Sequence, residues 1–240
     1  SRQGFHPERQ ALSLVKPKAS EREALHRQGI TTILAAPTQG IFAGQSVLLN
    51  LNGEETEDMV LLQPVALHIH FVTERGVYPS SLMGTMASLR QSFLDTQYYV
   101  RSRNAWRNAP RRFRRPKYDA FAEVLESYVT GNKPIVFVCE NQEDIRRALK
   151  LAEEFQLNAV LGGANEAWRA LDALKKQKVK PPLFVSLSFK PPATSLFAAQ
   201  GETVRKKAET EVYPANPSRL QEAGLPFALS SYGLASIKDF

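Results

Sequence analysis

Lys133-Pro-Ile-Val-Phe-Val-Cys139 is a short apolar run, and Glu140-Asn-Gln-Glu-Asp144 behind it carries turn and helix-start signals. From Ile145 to Phe155 the apolar residues Ile145, Ala148, Leu149, Leu151, Ala152 and Phe155 fall on one helical face. The same order then returns: Leu157-Asn-Ala-Val-Leu161, a Gly162-Gly163 turn, and a helix expected from about Asn165 to Lys176. Pro182-Leu-Phe-Val-Ser-Leu-Ser188 begins it a third time. Strand starts about 24 residues apart predict strand–turn–helix units feeding a parallel sheet. Such sheets carry their chemistry at the carboxyl ends of the strands. The pocket wall predicted on that ground is Cys139, Asn141, Gly162, Ser186 and Ser230, the last from the strand expected over Leu225–Ser231.

The chain has 240 residues, 43% hydrophobic and 23% charged, a soluble globular composition sized for one large α/β domain or two small ones. No apolar run approaches the roughly 18 residues that span a bilayer. The compartment is left open between cytoplasm and periplasm, as is the oligomeric state. Starting at Ser1 rather than Met, and ending at Phe240 just after a strand–turn, the chain reads as a segment of something longer. One cysteine excludes an internal disulfide framework and a cysteine-rich zinc site.

The net charge of +7 is concentrated between Arg101 and Lys117, where Arg101, Arg103, Arg107, Arg111, Arg112, Arg114 and Arg115 fall. With Tyr98, Tyr99, Trp106 and Phe113 nearby, such a run can grip phosphates and stack bases. No nucleic-acid module surrounds it, so the favoured reading is a solvated basic connection between helices, with nucleic-acid binding the further alternative.

Upstream, residues 1–18 read as an arm or loop. Ser20 to Arg27 is expected as a capped helix, and Gly29 to Ala36 as a buried strand. Gln45 to Leu51 and Met59 to Phe71, the latter broken at Pro64, make 45–72 an inserted β element. Helices are expected from Ser81 to about Arg101, from Tyr118 to about Val129, over 201–211 and over 216–223, with a break in the rhythm at 190–194.

His68-Ile-His70 puts two imidazoles on one face of a strand, where both can reach one ion. A metal centre needs a third ligand, and His6 and His26 have no matching spacing, so two polar-face histidines are the simpler reading. Cys139 can be activated at a following helix amino terminus or be a small buried hydrophobe. Gly162-Gly163 can admit an anion or merely turn the chain; it matches neither a Walker loop nor a complete dinucleotide fingerprint.

Arg27-Gln-Gly-Ile-Thr-Thr-Ile-Leu34, Ile41-Phe-Ala-Gly-Gln-Ser46, Tyr78-Pro-Ser-Ser-Leu-Met-Gly84, Arg147 to Phe155 and Phe227-Ala-Leu-Ser-Ser-Tyr-Gly233 resemble bacterial amidohydrolases related to imidazolonepropionase. The resemblance spans Arg27 to Gly233 and rests on framework segments. It implies an α/β fold, a (β/α)8 TIM-barrel-like amidohydrolase that is incomplete in this chain. It also implies hydrolysis of a non-peptide C–N bond in a cyclic amide or related small molecule. A divalent metal such as zinc is implied too, but its ligands are not found here. His68-Ile-His70 lacks the family's preceding Asp and follows, instead of preceding, Arg27-Gln-Gly-Ile-Thr-Thr, so the ligand role is not carried over. The expected strand ends at Val138-Cys-Glu140, Leu161-Gly-Gly163 and Leu229-Ser-Ser231 supply no His, and the last no Asp. A non-catalytic ligand-binding or interaction module on a degenerate barrel is therefore the alternative.

Overall fold

The structure is a computed structural model that describes residues 4–73, 78–188 and 212–234. The helix expected over 201–211 and the break expected at 190–194 lie outside those residues. The described strands form two sheets, one of three strands and one of six. Contacts divide the chain into two compact units, 1–137 with 150–159 and 138–149 with 160–240.

In the first unit, β1 (Thr32–Ala35), β3 (Val47–Asn50) and β4 (Val60–Leu62) make the smaller sheet, antiparallel throughout, in the order β1-β3-β4. Thr32 stands opposite Asn50 and Ala35 opposite Val47. One face covers a small core of Ala11, Val47, Leu49 and Met59. The β-branched run at Gly29–Ala36 predicts a buried strand, yet β1 alternates between exposed and half-buried residues. It is an edge strand of a small sheet, so one side of its pleat remains in water.

The strand expected over Gln45–Leu51 is β3, and a further strand just before it, β2 (Phe42–Gln45), joins the other sheet. β2 ends where β3 begins, and Ser46 between them exchanges bonds with the segment before β5: its N–H donates to Ala66 O at 2.9 Å, and Val65 N–H donates to its carbonyl at 2.9 Å. β2 is wholly buried and runs antiparallel to β5 (Leu67–His70). Gly44 lets the amino-terminal arm cross β2. At φ +134° its position has room for no Cβ, which would lie 2.4 Å from Arg9 O, and Gln45 N–H donates to that same carbonyl at 2.7 Å.

Two helices follow. Ser81 caps α2 (Leu82–Asn108), its Oγ accepting from Gly84 N–H at 3.1 Å. α2 runs seven residues beyond the Arg101 expected as its end, so the basic run starts inside a helix. Its buried face is Thr85, Ser88, Leu89, Ser92, Phe93, Thr96 and Arg103, largely small and polar, whereas Tyr98 is exposed. α3 (Ala120–Val129) is capped by Asp119 and buries Ala122, Leu125, Tyr128 and Val129. Phe42 meets Phe93 and Phe121 edge-on, with centroids 6.1 and 5.5 Å apart.

The repeated pattern becomes β6 (Ile135–Cys139), α4 (Gln142–Phe155), β7 (Ala159–Gly163) and β8 (Leu183–Ser186). In the second unit β7, β8 and β9 (Phe227–Ser230) are parallel, with Leu161 opposite Leu183, and Leu183 opposite Phe227. The helix expected over 165–176 is broken into a single turn at Ala167–Arg169 and α5 (Leu171–Lys176). α6 (Asn216–Glu222) precedes β9. The larger sheet has the order β2-β5-β6-β7-β8-β9 and is open among the described residues. The fold class is thus α/β with a parallel sheet and an antiparallel edge; the described strands do not close a barrel.

Candidate functional site

The residues predicted as a pocket wall fall at or just beyond the carboxyl ends of strands in the second unit. Cys139, the last residue of β6, is buried, and burial followed by the nearby Asp144 charge pushes its thiol well above the ordinary range. A thiolate nucleophile is therefore disfavoured there. Asn141 starts α4, its Oδ1 accepting from Asp144 N–H at 3.0 Å. Asp144 accepts from Glu140 N–H at 3.3 Å and from Arg147 Nη1 at 2.8 Å. Burial raises its pKa in spite of Arg147. Glu166, 4% exposed, completes this end of α4 by accepting from Gln142 N–H at 2.9 Å, and takes a second bond from Tyr213 Oη at 3.2 Å. Two of the amino-terminal donors of α4, Gln142 and Asp144 N–H, are thus already engaged by side-chain oxygens.

At the end of β7, Gly162-Gly163 passes close under β6. Gly163 has φ +79°, and a Cβ on it would lie 2.9 Å from Cys139 O, the carbonyl that also accepts from Ala164 N–H at 3.1 Å. Asn165 satisfies both ends of its amide when Nδ2 faces Gly163 O at 2.9 Å and Ser186 O at 3.0 Å. Asn216, fully buried, donates to Ala164 O and accepts from Trp168 N–H, both at 3.0 Å. Those two bonds hold the non-helical turn that breaks the expected 165–176 helix.

At β8 and β9, Ser186 Oγ donates to Tyr232 O and accepts from Ser188 N–H at 3.0 Å. Ser188 Oγ donates to Gly233 O at 2.8 Å, and Ser230 Oγ accepts from Tyr232 N–H at 3.2 Å. Of the five predicted wall residues, Asn141 bonds to the first turn of α4, Ser186 and Ser230 bond to Tyr232 beyond β9, and Cys139 and Gly162 are buried. Sequence reasoning misses Asp144, Glu166 and Asn216. Only Asp144 leaves a local signal, the cap spacing Asn141-x-x-Asp144; the partners of the other two are 24 and 48 or more residues away.

His68 and His70 lie on β5, in the first unit. Each is 6% exposed, and neither Nε2 has a hydrogen-bond partner. Burial lowers both pKa values to about 4, helped at His68 by the charge of His70, so both are neutral at pH 7. A neutral imidazole with a bare nitrogen is a proper metal donor. Yet among the described residues no group of three or more His, Cys, Asp or Glu side chains is placed to hold an ion. The donor set stops at two, so the described residues do not fit a zinc centre.

The basic run divides. Arg103 turns inward to Glu123 at 2.7 Å and to Glu126, and Tyr99 Oη donates to Glu123 at 2.7 Å. Arg112 lies over Phe113 and Arg115 over Trp106, their guanidinium carbons 5.7 and 5.1 Å from the ring centroids. Among the described residues no helix is long and apolar enough to cross a membrane.

No family model matches the sequence, and no curated protein matches it. Among solved structures it is similar to an amidohydrolase from Thermotoga maritima MSB8, with a TM-score of 0.78 and 22% identity over 99% of this chain. The chain spans 60% of that protein's length. The likeness is one of fold.

Proposed function

We propose that this chain is part of a (β/α)8 amidohydrolase-type barrel, in a protein that hydrolyses a non-peptide C–N bond of a small molecule such as a cyclic amide. The observation that carries this reading is the amidohydrolase fold followed through 99% of the chain, with sequence resemblance to imidazolonepropionase-related enzymes in the framework segments. In barrels of this kind the carboxyl ends of the strands face substrate. Here those ends carry hydroxyls and amides, which orient a carbonyl compound, and one buried carboxylate with a raised pKa, Asp144. Hydrolysis needs a base or an equivalent group to take a proton from water. Asp144, at the start of α4, is the described carboxylate near these strand ends whose pKa is raised. No step is assigned to a metal, because the described residues do not form its ligand set.

A second reading, a ligand-binding or interaction module on the same frame, is favoured by a different observation. Asn141, Ser186, Ser230 and Glu166 bond within the protein at the strand ends. One assay separates the two. The full-length protein, supplied with divalent metal, is offered a panel of linear and cyclic amides while ammonia or carboxylate release is followed. Hydrolysis requires turnover of at least one class that falls in Asp144→Asn with folding retained. Saturable binding of panel compounds without turnover supports the module instead.

A further inference from the structure

The loop that joins β3 to β4 carries the one Asn-Gly pair in the sequence, Asn52-Gly53. The side-chain amide of an asparagine has one nucleophile built in beside it, the backbone nitrogen of the next residue, whose attack on Cγ closes a five-membered ring. Such an intramolecular reaction is governed by access and geometry. It is blocked when the next residue has a side chain in the way, when its N–H is held in a hydrogen bond, or when a helix or strand fixes the backbone.

None of these obstacles is present at Asn52. The residue is exposed and lies outside helices and strands. Gly53 has no side chain, and among the described residues its N–H donates to nothing. The Asn52 amide has no hydrogen-bond partner there either; its backbone N–H alone is held, by Asn50 Oδ1 at 3.3 Å. At other asparagines the following nitrogen is occupied. Leu51 N–H, after Asn50, donates to Thr31 O at 2.9 Å, and Lys133 N–H, after Asn132, to Ser127 O at 2.9 Å. Gln142 N–H, after Asn141, donates to Glu166 at 2.9 Å.

The loop is also tied to the core, so a change in it is felt there. Gly53 O accepts from Arg22 Nη1. A Cβ on Gly53 would lie 2.9 Å from Cγ of Met59, a buried member of the small core under β3. Four exposed carboxylates follow in the same loop, Glu54, Glu55, Glu57 and Asp58.

We propose that Asn52 is a site of spontaneous modification, where attack by the Gly53 nitrogen converts it to aspartate and isoaspartate and loosens the β3–β4 loop from the core. A bond forms from Gly53 N to Asn52 Cγ, the Cγ–Nδ2 bond breaks, and Nδ2 leaves as ammonia with the proton that Gly53 N gives up through water. Water then opens the cyclic imide. Cleavage between Gly53 N and Cγ gives aspartate; cleavage between Gly53 N and the Asn52 main-chain carbonyl carbon gives isoaspartate, with one more carbon in the main chain. Nothing is oxidised or reduced. Either product adds a negative charge to a loop that already carries four, and like charges repel. Isoaspartate also shifts Gly53 from its place against Arg22 and Met59. This site stands apart from the strand-end reading and does not depend on it.

The test ages the full chain in mildly alkaline buffer and follows each asparagine by peptide mass spectrometry, with aspartate and isoaspartate peptides separated by chromatography. The Asn52 amide should be lost and both products should appear, while Asn132 and Asn141 keep their amides. The loss should quicken as the pH rises, because the attacking nitrogen must give up its proton. It should stop over the same period in Asn52→Gln, whose longer side chain closes a less favoured ring; the position is exposed, so that variant is expected to fold. Urea unfolding reads the effect on the loop. The midpoint of aged protein should fall below that of fresh protein and below that of Asn52→Asp, which has the charge without the longer main chain, and aged Asn52→Gln should keep its midpoint. An Asn52 amide still intact when the urea-unfolded chain has lost its own overturns the inference. So does equal loss at Asn132 and Asn141, or a converted protein whose midpoint has not moved.

Discussion

At Gly163 the backbone itself is under constraint. The residue sits at φ +79°, and a Cβ there would press on Cys139 O at 2.9 Å. Gly29 has nearly the same φ, +78°, with nothing within 4 Å of its missing Cβ. The pair separates two effects. Gly29→Ala should cost only the left-handed backbone penalty, about 1 kcal/mol. Gly163→Ala adds a forced displacement of β6 and should cost about 2–4 kcal/mol. Urea unfolding of both variants measures the gap, and equal losses would show that the close passage under β6 gives without strain. Asn216 is a second such residue. It is fully buried with both ends of its amide bonded, so Asn216→Ala should cost about 2–3 kcal/mol by leaving Ala164 O and Trp168 N–H without partners. A destabilisation near zero in the same urea series would mean that water replaces the amide.

The α2–α3 pair shows what an element can hide. Read as a string, Arg101 to Lys117 is a basic connection; in the structure α2 continues to Asn108, and Arg103 is an inward group fixed by Glu123 and Glu126 on α3. Those two carboxylates stay about a third exposed and can rehydrate, so the loss on truncation is moderate. Arg103→Ala should lower stability by about 1–3 kcal/mol, and Arg103→Lys should recover only part of it, because an ammonium cannot make both bonds in a fork. Arg107→Ala, on an exposed site, should stay within about 0.5 kcal/mol. Thermal unfolding of the three variants tests this ranking, and equal melting temperatures for Arg103→Ala and Arg107→Ala would sink it. The βα repeat is legible because β6, α4, β7 and β8 each carry a local apolar period. The inward face of α2 is not, because Thr85, Ser88, Ser92 and Thr96 are polar by type and buried only through tertiary packing. The boundary at Ser46 escapes for a related reason: Gly44-Gln45-Ser46 interrupts the apolar run, but nothing local says that the strands on its two sides join different sheets.

For the molecule as a whole, the strand ends are legible as a place, since period and spacing put Cys139, Asn141, Gly162, Ser186 and Ser230 there. Their bonding is not, because Glu166, Asn216 and Tyr232 arrive from distant segments. The histidine pair is legible as two imidazoles on one strand, while their burial has to be seen. That burial makes a prediction for the stability of the entire fold, since β5 stands second in the six-stranded sheet. In the unfolded chain both histidines titrate near 6.5, and in the folded chain near 4. Above pH 6.5 neither state binds the protons and stability has no slope from this source. Between 6.5 and 4 the unfolded chain takes up protons that the folded chain refuses, so stability falls as the pH falls. Below 4 both states are protonated and the slope ends. The gap sets a ceiling of about 3 kcal/mol per histidine. Glu123, whose pKa is lowered in the fold, pushes in the same direction at lower pH, and Asp144, whose pKa is raised, opposes it. The histidine share is isolated by replacing both imidazoles with leucine. Urea midpoints should drop steadily from pH 7 to 5 in the natural sequence and stay nearly level over that interval in the double variant. Parallel profiles for the two proteins would mean that His68 and His70 accept protons without leaving their places in β5, and that acid sensitivity arises elsewhere.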